Sequence, residues 1–140
     1  SGAFVSGTNA GWAYNNFPLM GDNILPPVIV EGNNLSFVNL FNDIGFIQFF
    51  HRVLATLTLI YVLITLFNLY KSKLKAIYFL STLATIIVVS QYLLGIIMLK
   101  FFVPIHLGLS HQLGSLILLS SLIITKCEVL KRRAINRPSF

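Results

Sequence analysis

Three stretches of the chain carry no charged residue: Val53 to Tyr70, Ala76 to Leu99 and Phe101 to Thr125. A helix that crosses a bilayer needs ~20 predominantly apolar residues. Each stretch meets that length, the first once it is extended back to about Ile44. The pattern predicts transmembrane helices over 44–69, 76–99 and 105–125. Pro104 closes the short turn Phe101–Pro104, because proline cannot continue a helix interior but suits a helix start. Residues 1–11 are small and rich in glycine and look like the end of a further helix. Trp12 to Met20 mixes aromatic and polar residues, as segments at a membrane–water interface do. Gly21 to Asn34, with Pro26, Pro27 and two glycines, reads as an external loop, and Leu35 to Phe41 as a short interfacial helix. The sequon Asn34-Leu35-Ser36 is a pattern common by chance. The chain is an all-α membrane protein with three full transmembrane helices plus the end of a fourth, an external loop over 12–43 and a tail over 126–140.

Composition agrees with a membrane protein. Of 140 residues 56% are hydrophobic and only 10% charged, which excludes an ordinary soluble domain. The net charge of +6 is not a nucleic-acid footprint. Of the ten basic residues, all but Arg52 and Lys100 fall into two groups: Lys71, Lys73 and Lys75, then Lys126, Lys131, Arg132, Arg133 and Arg137. Three crossings put both groups on one side, and basic residues favour the cytoplasmic or matrix side. Cys127 is the single cysteine, so no disulfide forms within these residues and no CxxC metal site exists.

The candidate chemistry lies in Gln48-Phe49-Phe50-His51-Arg52 and in His111. Ionisable groups inside apolar helices are costly, face the bundle interior and mark sites. Gln48, His51, Arg52, Ala55 and Thr58 share about one helix face. Gly108, His111, Gln112 and Ser115 share another. His51 and His111 each lie six or seven residues inside the outer end of their helices, so both sit ~10 Å deep at ~1.5 Å per residue. Two imidazoles at matching depth on separate helices suit the axial ligation of a haem iron, with Gly108 and Ser115 leaving room for the macrocycle and Arg52 placed to pair with a propionate. The competing reading of each histidine is a helix–helix hydrogen bond. His106 lies on another side of its helix, at the interface, and suits an interfacial role better than ligation. Zinc lacks a third and fourth ligand.

These residues resemble a known family. Gly2 to Gly7, Ala10-Gly11 and Tyr14 to Met20 are similar to the fifth helix and following loop of haem A synthase. Gln48 to Arg52 is similar to its sixth-helix motif, and Gln91 to Ile96 and His111-Gln112 to its seventh and eighth helices. The resemblance implies an eight-helix bundle of two similar halves, of which this chain is the C-terminal one and holds haem b. His51 and His111 then match the axial ligands, with Arg52 and Gln48 beside the cofactor. It also implies oxidation of the haem O methyl group to the formyl group of haem A, for cytochrome oxidase assembly. The other half carries a Glu three residues before its first histidine; Gln48 stands here instead and cannot ionise, so no catalytic residue is assigned in this half. The loop lacks the cysteine pair of some members, as in the proteobacterial and mitochondrial type. The implied setting is a bacterial or mitochondrial inner membrane. The implied partners are the lipid bilayer and the N-terminal half with its haem O, with haem O synthase, an electron donor and a second copy of the chain as further candidates.

Two other classes compete. One is a b-type electron-carrying membrane subunit without chemistry of its own. The other is a cofactor-free scaffold with structural histidines. A visible spectrum separates the scaffold from the rest, and extraction of haem A separates the enzyme from the electron carrier.

Overall fold

The computed structural model describes residues 1–32, 36–71 and 74–135. Its elements are α1 (Gly2–Gly7), a one-turn 3-10 helix (Ala10–Trp12), α2 (Pro27–Val30), α3 (Phe37–Asn42), α4 (Ile44–Tyr70), α5 (Lys75–Lys100) and α6 (Ile105–Ile135). Asn34 and Leu35 of the sequon, Lys73, and Arg137 of the tail lie outside the described residues.

The three long helices are apolar on nearly every side. Leu57, Tyr61 and Phe67 of α4, Phe79, Ile86 and Leu93 of α5, and Leu113, Ile117 and Ile123 of α6 all face outward. An exposed apolar surface of this kind is stable only against lipid, so the chain is a multi-pass membrane protein. Four threonine hydroxyls in these helices are turned back onto carbonyls of their own helix: Thr56 on Arg52, Thr65 on Tyr61, Thr85 on Ser81 and Thr125 on Ser121, at 2.7 to 2.9 Å. That satisfies these four groups where no water is available, whereas the buried Ser81 hydroxyl has no partner.

The helix ends follow local chemistry. The Asp43 carboxylate accepts the Phe46 N–H at 2.6 Å and caps α4, and the Ser36 hydroxyl caps α3 by accepting from Asn39 N–H at 3.3 Å, the usual roles of these residues at N-caps. After Lys100 the chain reverses through Phe102 and Val103, both in the left-handed region (φ 58° and 52°). Val103 N–H donates to Met98 C=O at 2.9 Å, and the Pro104 carbonyl accepts from Gly108 N–H at 3.0 Å to start α6. The starts of α4 and α6 fall where the apolar pattern put them. α6, however, continues to Ile135, through the segment read as a tail from 126. The hydropathy boundary marks where lipid ends. The helix persists in water because lysine and arginine are good helix formers and Glu128 pairs with Arg132 one turn on, at 2.7 Å.

α5 is the middle helix. It packs along both α4 and α6, whereas α4 and α6 scarcely approach each other. In the half away from the loop, Val62 and Leu66 of α4 pack on Ala84 and Val88 of α5, with Leu118 and Leu122 of α6 closing the cluster. In the other half the α5–α6 seam is built from small residues: Gly95 of α5 lies against His111, and Gly114 of α6 lies against Gln91. A Cβ at Gly114 would collide with the Gln91 amide, which fills the space left by the missing side chain, so a larger residue there must displace Gln91. Gly114→Leu should therefore cost about 1–3 kcal/mol by overpacking and lower the melting temperature in detergent. Gly7→Ala meets no atom within 4 Å and should stay within about 0.5 kcal/mol of the parent. Equal melting of the two variants in a thermal-shift assay would show that the seam tolerates separation.

Candidate functional site

Residues 10–26 form an ordered lid on the first half of α4, with Ala10, Met20 and Pro26 fully buried. Its backbone carbonyls need donors, and α4 supplies them. The Gln48 amide donates to Gly11 C=O at 3.1 Å and to Tyr14 C=O at 3.0 Å. One turn on, Arg52 donates to Leu19 C=O at 3.1 Å, to Tyr14 C=O at 3.0 Å and to the Gln48 amide oxygen at 3.3 Å. The Arg52 guanidinium also lies over the Phe17 ring, 5.8 Å from its centroid, and Phe17 meets Tyr92 of α5 edge-on at 6.3 Å. Tyr92 in turn shares a hydrogen bond of 2.9 Å with Thr56. The lid is thus tied to two helices by one connected polar and aromatic set.

The structure gives Gln48 and Arg52 different partners from those expected. Gln48 is 1% exposed and has no surface left for a ligand. Arg52 commits both terminal nitrogens to the lid, while its Nε is buried without a partner, and no carboxylate pairs with it among the described residues. Both residues act on the site by fixing the lid. Backbone carbonyls leave no mark in a sequence, which is why this use was not legible there.

His51 is half-buried. Its Nδ1 lies 2.9 Å from the Ser1 hydroxyl, and a Cβ on Gly2 would stand 3.7 Å from its Cε1. α1 therefore covers one edge of the ring and engages Nδ1, leaving Nε2 without a hydrogen bond among the described residues. His111 of α6 lies with its Cε1 edge against Gly95, where a Cβ would come within 3.3 Å. Its Nδ1 is buried and unpartnered. The two imidazoles are within electrostatic range of each other, one from α4 and one from α6, across the gap that those helices leave over α5. Gly108 faces Met98 and serves the α5–α6 seam. Gln112, Ser115 and Thr58 are exposed, so those members of the expected faces do not join the pair. His106 is exposed at the start of α6, apart from the other two.

Two imidazoles with no third ligand suit an ion that brings its own equatorial donors. Among the described residues no group of three His, Cys, Asp or Glu converges, so a bare metal ion would be under-coordinated here. A haem iron needs only two axial nitrogens. Ser1 and Gly95 were not singled out as site residues from sequence. Gly95 had a signal, since it shares a face with Gln91; Ser1 had none.

Comparison with known proteins places the chain among cytochrome oxidase assembly proteins, whose family profile matches residues 1–123. It is 37% identical over 131 residues to the protein named heme A synthase of Wolbachia sp. subsp. Brugia malayi, covering 94% of this chain and 37% of that protein. The heme A synthase of Wolbachia pipientis wMel is 34% identical over 131 residues, 94% of this chain and 35% of that protein. That of Rickettsia bellii is 37% identical over 125 residues, 87% of this chain and 36% of that protein. The chain thus spans about a third of the length of these relatives. No solved structure matches.

Loss of the Gln48 donor would strand the Gly11 and Tyr14 carbonyls, at about 1–3 kcal/mol for unsatisfied buried groups. Gln48→Leu should therefore loosen the lid, with faster amide exchange and proteolysis within residues 12–22 and little change in α5 or α6. Protection of the lid equal to that of the parent protein would show that Gln48 does not hold it.

Proposed function

Because the chain belongs to the cytochrome oxidase assembly protein family, we propose that it is the haem b-holding C-terminal half of a haem A synthase, in a bacterial or mitochondrial inner membrane. The observation that carries this reading is the pair His51 and His111, presented by α4 and α6, the two helices that flank α5, with His111 Nδ1 buried and unpartnered. Bound between them, haem b supplies reversible one-electron chemistry. The protein's part is positional. Ser1 engages Nδ1 of His51 and so leaves Nε2 for iron. Gly95 leaves room for the Cε1 edge of the His111 ring against α5. Arg52, with an unpartnered Nε and no carboxylate to neutralise it, offers its charge to a propionate, while Gln48 keeps it in place by holding the lid.

Oxidation of the haem O methyl group to a formyl group needs groups that manage protons next to the substrate. In this chain Asp43 is spent as a helix cap and Glu128 as an ion pair with Arg132. Asp22 and Glu31 lie in the loop ahead of α4. Gln48 has no accessible proton equilibrium. The chemistry therefore belongs to the N-terminal half, with its haem O, and this half supports it by structure or by passing electrons. A stand-alone b-type electron carrier is the second reading, favoured by the same lack of carboxylates.

In the complete polypeptide, His51→Ala and His111→Ala should each abolish the six-coordinate low-spin haem b spectrum and cut extracted haem A at least tenfold, whereas His106→Ala should keep both. A low-spin spectrum that survives His111→Ala would exclude the assigned pair. Absence of haem A from cells making the complete parent protein and supplied with haem O would favour the electron carrier. Ser1→Ala should retain the low-spin haem but shift its reduction potential, since the hydrogen bond on the distal imidazole nitrogen tunes ligand basicity. Ser1→Thr should restore it.

A further inference from the structure

We propose that the end of the bundle away from the histidines binds the headgroup of an anionic phospholipid. A groove of about 470 Å³ opens there between the end of α4, the start of α5 and the later turns of α6. Lys71, Arg132 and Arg133 line it, over a wall of Leu69, Ile77 and Val129. Glu128 offsets one of the three cations through its contact with Arg132 at 2.7 Å. The other acids of the chain, Asp22, Glu31 and Asp43, all precede α4. The groove is left with two uncompensated positive charges.

Its level in the membrane is marked independently. Tyr70 and Tyr78 lie with ring centroids 4.3 Å apart, tilted by 50°, with their hydroxyls joined at 3.0 Å, and both are exposed at this end. Tyrosines of that kind sit at headgroup depth. Guanidinium groups match phosphate oxygens in pairs, and basic pockets between transmembrane helices at this level take anionic headgroups. The apolar wall sets a lipid apart from a free anion. Lys71 Nζ, on the groove, stands 5.1 Å over the Phe67 ring, and Phe67, one turn deeper on α4 and 66% exposed, presents a lipid-facing surface for acyl chains below the phosphate.

The site stands apart from the haem reading and survives or fails without it. The test is native mass spectrometry of the complete polypeptide in detergent, titrated with phosphatidylglycerol or with phosphatidylcholine. Phosphatidylglycerol should be retained preferentially. Lys71→Gln and Arg133→Gln should each weaken its retention about fivefold, the effect of one cation near an anionic surface, without changing the visible spectrum. Equal retention of the two lipids by the parent protein would overturn the proposal, a comparison that needs no variant. Displacement of phosphatidylglycerol by millimolar inorganic phosphate would also overturn it, by showing a site for a free anion.

Discussion

The outer half of the molecule depends on one polar contact set, in which Gln48 and Arg52 of α4 donate to the carbonyls of Gly11, Tyr14 and Leu19. A non-helical segment packed against a transmembrane helix carries backbone groups that lipid cannot satisfy. Without side-chain donors it would peel away to water. Gln48 and Arg52 lie one turn apart, so they present a short ladder of N–H groups along a single stripe of α4. The lid settles on that stripe, and α1, which precedes it, is brought against His51. The placement of Ser1 and Gly2 at the imidazole is thus a consequence of bonds made one turn away, to a different part of the chain.

The second constraint is the spacing of the helices. α5 can serve as the middle helix, close to both neighbours, because the α5–α6 seam is lined by Gly95 and Gly114 where the two backbones meet. The aliphatic cluster around Val62, Leu66, Ala84 and Val88 closes the other half of the bundle. One half is filled by packed aliphatic side chains, and the other carries the glycine contacts, the two histidines and the lid.

Much of this was legible in the sequence. The starts of α4 and α6 followed from apolar length and the turn at Pro104. The polar stripe on α4 was visible as well, but not its partners. A glutamine and an arginine advertise donors, and a carbonyl belongs to every residue, so nothing in the sequence selected Gly11, Tyr14 and Leu19 over a bound anion. The length of α6 was hidden for a different reason. Hydropathy reports the solvent of a helix, whereas its end is set by backbone propensity and capping, and Lys126 to Ile135 has neither glycine nor proline. Thr56 rather than Thr58 meets α5 through Tyr92, a distinction that helical spacing alone does not resolve.

Arg52 carries the sharpest unresolved energetic demand. It is half-buried in a membrane helix, its cation–π contact with Phe17 and its carbonyl partners stabilise it, and Nε remains without an acceptor. Dipoles solvate a cation but do not neutralise it. A carboxylate from the protein could have done so, yet of Asp22, Glu31 and Asp43, which all precede α4, none pairs with it among the described residues, and Asp43 is committed to its cap. The charge is therefore left facing a site proposed to take a haem, whose propionates are the anions the chain itself does not provide. On this reading the energetic cost of Arg52 in the empty protein is offset on loading, so that binding the cofactor would also tighten the lid that Arg52 holds.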